Sequence, residues 1–439
     1  MTPLKLNVWW DGRLVGDLSR RSNGGERFTY AEAWAADPLT PGLSLSLPKV
    51  GRRFSWTGPS PFFDGLLPEG EPRDVLARVL RVSETNDLSC LERLGGDVAG
   101  ALQILPEGEQ PTLAGGSWVP EVLTDEQLLA MIRSLRARPM LVGEGRIRLS
   151  LAGAQTKLPV VVVAGRVAKP GPEQPTTHIL KPAMPLFEGI VENEAFCLAL
   201  AGAAGLTVVK AEPRVLQVAG EPVLTYLLVE RYDRETVGGR VARLHQEDFC
   251  QAMGVVSRNK YQSEGGPSLK KAFKVLRDHA DVPARDVMSL LRAVAFNVVV
   301  GNEDAHGKNF SLLYGAGSRV RLAPLYDLVS TVVYEGLTPG FAMRVGGART
   351  LEAMNLREWE RFADHAGVEA SLVRTVVREV CEGVRAHAAE VATRLIEPGL
   401  DAVFLAALAT RVVQRAERCS KMVSNSSRCS WSISGMPVS

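Results

Sequence analysis

The stretch Gly301-Asn302-Glu303-Asp304-Ala305-His306-Gly307-Lys308-Asn309-Phe310-Ser311 most constrains what this 439-residue chain can become. Before it, Val287, Leu290, Leu291, Val294, Ala295 and Val298 recur at helical spacing, which predicts one buried stripe, and Gly301 is a natural helix stop. After it, Phe310-Ser311-Leu312-Leu313-Tyr314 reads as a short strand. The polar residues therefore sit on a loop between helix and strand, where a rigid scaffold commonly carries chemistry.

The spacing inside the loop carries information. Asp304 and Asn309 are separated by four residues, as are the proton-accepting Asp and the magnesium-holding Asn of protein-kinase catalytic loops. A second strand and turn then lead to Pro324-Leu325-Tyr326-Asp327-Leu328. Asp327 is in the right order to be a second metal carboxylate. Magnesium takes hard oxygen ligands and keeps several waters, so one carboxylate, one amide oxygen and substrate phosphates suffice. An ordinary polar turn with a capping Asp and Asn fits the same residues. The pattern gains force only with a phosphate-binding lysine upstream.

Thr177-His178-Ile179-Leu180-Lys181-Pro182 reads as a strand carrying such a lysine. A charge inside an apolar strand needs a partner, and a nucleotide phosphate would be one. An edge lysine reaching out to solvent fits equally well. Glu194, near the start of the helical pattern 192–205, is placed to pair with Lys181 or to serve the helix dipole. Upstream, Ser150-Leu151-Ala152-Gly153-Ala154-Gln155-Thr156-Lys157 runs small residues into the strand Val160–Val163. Such a loop can bring backbone N–H groups to phosphates, but it is neither a Walker A loop nor Gly-x-Gly-x-x-Gly, and a tight hairpin explains it as well. The hydroxyl of Ser150 has no evident structural task at this strand's edge. The strand Leu224–Val229 runs into Glu230-Arg231-Tyr232-Asp233-Arg234. In a two-lobed kinase this is the hinge, where adenine meets the backbone, and all that follows is a helical C-terminal lobe.

The rest of the chain fits that plan. Residues 4–20 alternate around Asp11-Gly12, a strong hairpin signal. Leu43–Leu47 reads as a strand, and the aromatics of Pro61-Phe62-Phe63-Asp64 as loop anchors. Residues 106–125 are rich in Pro and Gly and mark a boundary, and 139–149 reads as a loop. Helices are expected over 73–80, from Thr124 onward, and over 246–256, 268–280, 285–300, 357–366, 369–395 and 400–417. Four segments result: a β-rich N-terminal subdomain (1–110), a second part (111–232) that in a two-lobed kinase would be the ATP-binding part of the N-lobe, a helical C-lobe (233–418) and a Ser-rich disordered tail (419–439). Arg374 and Arg378 lie on a helix of mixed charge, where a solvated face is the plainer reading and a DNA contact the sharper one. A net charge of +2 makes no global case for nucleic acid. The six scattered cysteines lack a Cys-x-x-Cys pair, which argues against zinc and against a disulfide scaffold. Cys197 and Cys250 read as buried thiols. Without a signal-peptide core or a long apolar run, the chain reads as cytoplasmic, with no membrane partner.

Taken together, these motifs resemble the HipA-type serine/threonine kinases, the toxin half of bacterial toxin–antitoxin pairs. The resemblance runs from the N-terminal hairpin to about residue 410. It rests on Pro61–Pro68, Ser150–Lys157, His178–Pro182, Val229–Arg234, Lys260-Tyr261-Gln262-Ser263-Glu264-Gly265-Gly266, Asp304–Ser311 and Tyr326-Asp327, all in the family's order. It implies an α+β, two-lobed kinase-like fold: a mixed N-lobe with a small β-rich subdomain, then an all-helical C-lobe. It implies that ATP and Mg2+ are used. Ala152, Gly153, Ala154, Gln155, Thr156 and Lys157 would form a mobile ATP loop, and Lys181 would reach the phosphates. Glu230, Arg231 and Tyr232 would hold adenine, with Tyr326 beside the site. Asp304 would be the base, Asn309 and Asp327 the metal ligands, and His306, Gly307 and Lys308 the phosphate side. Ser150 matches the family's self-phosphorylated serine. Implied partners are a helix-turn-helix antitoxin, operator DNA bound through the antitoxin complex (with Arg374 and Arg378 as contacts), and a protein substrate such as an aminoacyl-tRNA synthetase. Two alternatives remain at this point: a small-molecule kinase of related fold, and a corepressor with negligible turnover. The intact set of Lys181, Asp304, Asn309 and Asp327 argues against the second.

Overall fold

Alternating side chains and an Asp-Gly turn build the first sheet. In this computed structural model, which describes residues 4–84, 86–111, 119–143, 148–171, 174–315, 319–396 and 399–424, strands β1 (Lys5–Trp10) and β2 (Arg13–Arg20) are joined by Asp11 and Gly12. Their φ angles of 47° and 72° are the positive pair that a type I′ hairpin needs. With β3 (Glu26–Tyr30), β4 (Arg53–Trp56) and β5 (Leu102–Pro106) they form an antiparallel sheet in the order β4-β3-β2-β1-β5. Leu6, Val8, Leu18 and Phe28 point to its buried face. There they meet Phe62 and Phe63 from the short helix Pro61–Asp64, so the adjacent aromatics are anchors. Leu43–Leu47 is a tight turn closed by a Ser44–Leu47 bridge, not a strand. Its polar groups go to the C-terminal half of the chain instead of to a sheet: the Leu45 N–H donates to Glu247 Oε1 (2.9 Å) and Ser46 Oγ to the Gln251 carbonyl (2.7 Å).

The second sheet comprises β6 (Glu121–Val122), β7 (Leu158–Val163), β8 (Arg166–Lys169), β9 (His178–Pro182), β10 (Ala211–Leu216) and β11 (Leu224–Glu230), ordered β10-β11-β9-β7-β8-β6. Lys181 of β9 pairs with Leu227 of the neighbouring β11, which makes it an interior-strand lysine and not an edge one. The helix Ile190–Ala203 is buried on nearly every side, packed between this sheet and the helical lobe. That lobe is built from Leu269–His279, Pro283–Val300, Leu356–Ala366, Ala370–Ile396 and Ala402–Ser424 around the largest apolar core.

The lobe is helical in bulk but not throughout. A hairpin of β12 (Arg234–Val237) and β13 (Arg240–Arg243) follows the hinge. A small sheet pairs β14 (Gln246–Asp248), β15 (Ser311–Tyr314) and β16 (Val320–Leu322). Buried backbone leaving the polar loop needs hydrogen-bond partners, and these strands provide them. For the same reason the helix expected from 246 begins only at Phe249 and is short, Phe249–Ala252.

The last helix runs past the expected start of the tail, to Ser424. Val412, Ala416, Cys419 and Val423 continue one buried stripe, and this packing outweighs the serine content. Residues 425–439, with Cys429, lie outside the described residues, as do 112–118 of the expected boundary and 144–147 of the loop before Ser150. Cys197 and Cys250 are buried free thiols, as are Cys90, Cys381 and Cys419. No described helix is long and apolar enough to cross a membrane.

Candidate active site

The polar loop is held by its own side chains. Gly301 ends the helix Pro283–Val300 at φ 79°, where a Cβ would come within 2.6 Å of Val332. Asn302 Nδ2 donates to Asn297 Oδ1 (3.0 Å), while its own Oδ1 accepts from the Asp304 N–H (3.1 Å). The Glu303 N–H donates to Thr331 Oγ1 (3.0 Å), and the His306 N–H to Asn309 Oδ1 (3.1 Å). Asp304 is thereby presented towards Tyr261, whose hydroxyl donates to its Oδ1 at 2.9 Å. Burial raises the Asp304 pKa, opposed by that hydrogen bond and by Lys260. A carboxylate fixed in this way, in a partly dry setting, suits a proton acceptor. His306 is pushed down to about 3, first by burial and then by Lys260, so it is neutral.

Lys181 finds its partners inside the protein. Its Nζ lies 2.6 Å from Glu194 Oε1 and in close contact with Asp327 Oδ1, and the lysine is only 4% exposed. Burial alone would lower its pKa, but Asp327 and Glu194 outweigh burial and hold it above the ordinary lysine value. Burial likewise works against the ionised Asp327, but Lys181 and Lys157 hold its carboxyl well below the usual range. Asp327 sits at φ 51°, a left-handed conformation unusual for a residue with a side chain. Asn309 Nδ2 lies 3.5 Å from Asp327 Oδ2. An amide and a carboxylate side by side fit a magnesium ion that also binds phosphates and water. Asn309 Oδ1 accepts from the His306 N–H and keeps a second lone pair that could meet a cation. Among the described residues no three His, Cys, Asp or Glu side chains gather into a metal cage.

Lys181 and Asp327 line one side of a cleft between the sheet and the helical lobe. The cleft brings together Ala152, Gly153, Lys157, Lys181, Glu230, Arg231, Tyr232, His306, Lys308, Tyr326 and Asp327. Ala154, Gln155, Thr156, Gly307, Asn309 and Asp304 are not among its lining residues, although each is a close chain neighbour of one or more that are. The small-residue loop is strapped to the N-terminal subdomain: the Glu69 N–H donates to the Gly153 carbonyl (3.1 Å), and Ser150 Oγ to the Leu66 carbonyl (2.7 Å). The Ser150 hydroxyl therefore has a structural task and is fully buried, contrary to expectation. Lys157 folds back onto the Ala152 carbonyl (2.8 Å) beside Gly153, whose φ of 109° and lack of a Cβ make room for it.

Two basic residues carry structural duties that their sequence positions do not announce. Arg231 commits its guanidinium to partners within the protein, donating to Asp233 Oδ2 (2.7 Å), Thr176 Oγ1 (2.9 Å) and the Val98 carbonyl (2.9 Å). The N–H groups of Glu230 and Arg231 are also committed, to the carbonyls of Lys210 (2.8 Å) and Thr177 (2.9 Å). Next to them the ring of Tyr232 is stacked on that of Tyr326, with centroids 5.6 Å apart. Lys308 is buried between Asp248 (3.1 Å) and Glu69 (3.4 Å), which compensates its charge and ties the subdomain to the lobe. Arg374 pairs with Glu360 (3.7 Å) and Arg378 is exposed, both on the helix Ala370–Ile396 and outside the cleft.

Sequence reasoning missed Asp97, which is fully buried. Its carboxylate accepts from Thr176 Oγ1 (2.7 Å), Arg231 (3.2 Å), Arg234 (2.9 Å) and Arg243 (3.2 Å). Its carbonyl accepts from the Ser150 N–H (3.0 Å). Its partners are distant in sequence, so no local pattern marks it.

Residues 6–105 match the HipA N-terminal domain and residues 149–388 the HipA-like C-terminal domain. The chain is 48% identical over 404 residues to Y4mE of Sinorhizobium fredii, an inferred kinase, covering 91% of this chain and 94% of that one. It is 28% identical over 439 residues to the serine/threonine-protein kinase toxin HipA of Shewanella oneidensis, covering 94% and 96%. The structure of Shewanella oneidensis HipA with HipB and its operator DNA superposes with a TM-score of 0.82 at 27% identity, covering 95% of this chain and 98% of that one.

Proposed function

The chain belongs to the HipA kinase family, and from that premise we propose that it is an ATP- and magnesium-dependent serine/threonine protein kinase, the growth-arresting toxin of a toxin–antitoxin pair. The observation that carries this is the buried trio of Lys181, Glu194 and Asp327, one side of it facing the cleft and Asn309 beside it. A buried cation held between two acids, one of which also meets an amide, is how a kinase prepares to receive phosphates. In this reading Asp304 accepts the proton of the acceptor hydroxyl. Lys181, once shared with phosphate oxygens, keeps their charge compensated. Asn309 and Asp327 would hold the magnesium ion, which supplies charge neutralisation on the transferring phosphoryl group. Tyr232 and Tyr326 give adenine an aromatic face, and Ala152–Lys157 close over the phosphates.

Ser150 would be the self-phosphorylation site. Its buried hydroxyl is one of the straps of the ATP loop, and a phosphate of roughly −1.5 to −2 charge cannot occupy that position without releasing the loop. The Shewanella oneidensis structure pairs HipA with HipB on operator DNA. By likeness, this chain would bind a helix-turn-helix antitoxin and reach operator DNA through it, with Arg374 and Arg378 near phosphates. A cytoplasmic setting and an aminoacyl-tRNA synthetase target complete the proposal. The test is Asp304→Asn with radiolabelled ATP. Losing the base costs roughly 10² to 10⁴-fold, so incorporation of label should collapse while ATP binding persists. Label incorporated at the wild-type rate would remove Asp304 from its role.

A further inference from the structure

The segment Lys260–Gly266, prominent in the sequence, is given no task by the assignments above, yet it is built tightly against the polar loop. Its Gln262 N–H donates to the Ala342 carbonyl (2.9 Å), and Gln262 Oε1 accepts from the Arg344 N–H (2.8 Å). A Cβ on Gly266 would come within 2.3 Å of the Asn259 carbonyl, so only glycine allows this turn. The result is one precise placement: Tyr261 Oη at 2.9 Å from Asp304 Oδ1. The ring is held edge-to-face on His306 (centroids 5.5 Å) and lies under Lys260 Nζ (5.5 Å), itself paired with Glu69 (3.0 Å).

An acceptor serine bound for transfer must donate its hydroxyl proton to the same carboxylate. We propose that Tyr261 is a positioning residue whose phenol occupies the acceptor-hydroxyl position at Asp304 until a protein substrate displaces it. The phenol has two effects. It keeps the base ionised and aimed, since a hydrogen bond to the charged form favours that form. It also denies the position to water, so that bound ATP is not hydrolysed while no protein acceptor is present. The Tyr261 hydroxyl itself stays protonated, because burial and then the Asp304 charge hold its pKa above the ordinary phenol value. The charged groups facing Asp304 are Lys260, Glu69 and Asp327, with neutral His306 beside them.

This inference rests on the reading of Asp304 as the base, and the test separates the two. ATP hydrolysis by the purified full chain is measured without added protein, for wild type, Tyr261→Phe, Asp304→Asn and the double variant. Phenylalanine keeps the ring contacts and removes only the hydroxyl. Water then needs to displace no hydrogen bond to a charged group, so hydrolysis by Tyr261→Phe should rise roughly tenfold at unchanged KM for ATP. The rise should vanish in the double variant. The acid limb of its pH profile should move to higher pH, because Asp304 loses a bond that favoured its ionised form. Hydrolysis that stays level or falls in Tyr261→Phe, with Asp304→Asn inactive, overturns the inference alone. Phosphate found on Tyr261 by mass spectrometry also overturns it, since the phenol would then be an acceptor. Wild-type hydrolysis by Asp304→Asn overturns the assignment of the base instead.

Discussion

Asp97→Asn should be among the most damaging single substitutions in this chain, although Asp97 touches no ligand site. Asparagine keeps the shape but brings an NH₂ group and no charge to a position that faces three guanidinium groups and Thr176. Among the described residues, Asp233 is then the acid left to balance the buried Arg231 and Arg234. Breaking a buried charge network costs about 3–5 kcal/mol, mostly from the cations left uncompensated. At roughly 2–4 °C per kcal/mol for a chain of a few hundred residues, the thermal midpoint should fall on the order of 10 °C. Thr176→Val serves as the comparison: it removes one hydroxyl that donates to Asp97 and accepts from Arg231, leaves the charges in place, and should cost about 1.5–3 kcal/mol. Burial works against the ionised Asp97, but the arginines outweigh it and hold its pKa far below 3.8. Its stabilising contribution is therefore complete at neutral pH and is lost as pH falls below 3.8 towards the folded-state value. Wild type and Asp97→Asn should accordingly converge in stability in strong acid. Differential scanning fluorimetry from neutral to acid pH checks both statements. A drop of only a degree or two at pH 7, or a gap between the two proteins that widens in acid, would refute the argument.

Two further outcomes follow from the cleft. Asp327→Ala should abolish magnesium-dependent ATP binding in titration calorimetry, since Asn309 alone is a poor magnesium ligand, while Lys181 keeps Glu194 and the fold survives. Ser150→Asp should lose ATP affinity and activity because a charge cannot occupy the buried position against Leu66; Ser150→Ala should lose about 1 kcal/mol from the missing hydrogen bond yet still bind ATP.

The parts of the fold legible in the sequence are those fixed by local rules. The Asp-Gly hairpin, the helix ending at Gly301 and the strand after Asn309 depend on short-range backbone geometry, and they are where the residues put them. The Lys181–Glu194 pair was readable because a buried lysine must find an acid and the next helix offers one. What stayed hidden depends on partners far apart in the chain. Leu43–Leu47 has a strand's composition, but Glu247 and Gln251, some two hundred residues later, take its hydrogen bonds. Arg231 has the position of a ligand-binding residue, but its guanidinium is claimed by Asp97 and Asp233. Lys308 has the look of a phosphate ligand, but Glu69 and Asp248 already compensate it.

The hidden contacts share a geometry that bears on how the enzyme would be controlled. Glu69, Leu66 and the Asp97 carbonyl, all from the N-terminal subdomain, reach respectively Gly153 and Lys308, the Ser150 hydroxyl, and the Ser150 N–H. The N-terminal subdomain thus holds the small-residue loop on its N-terminal side, at Ser150 and at Gly153. A loop fastened by two backbone bonds and one hydroxyl is a low-stability element beside a rigid core, the kind that opens without global unfolding. Its release would move Lys157, which helps hold the Asp327 carboxyl ionised, but would break no hydrogen bond of the Lys181–Glu194 pair or of the loop that carries Asp304. In the function proposed above, the groups around Asp304 would stay assembled while access for ATP is switched, and the contacts of Ser150 would add a second point of control to the one proposed at Tyr261.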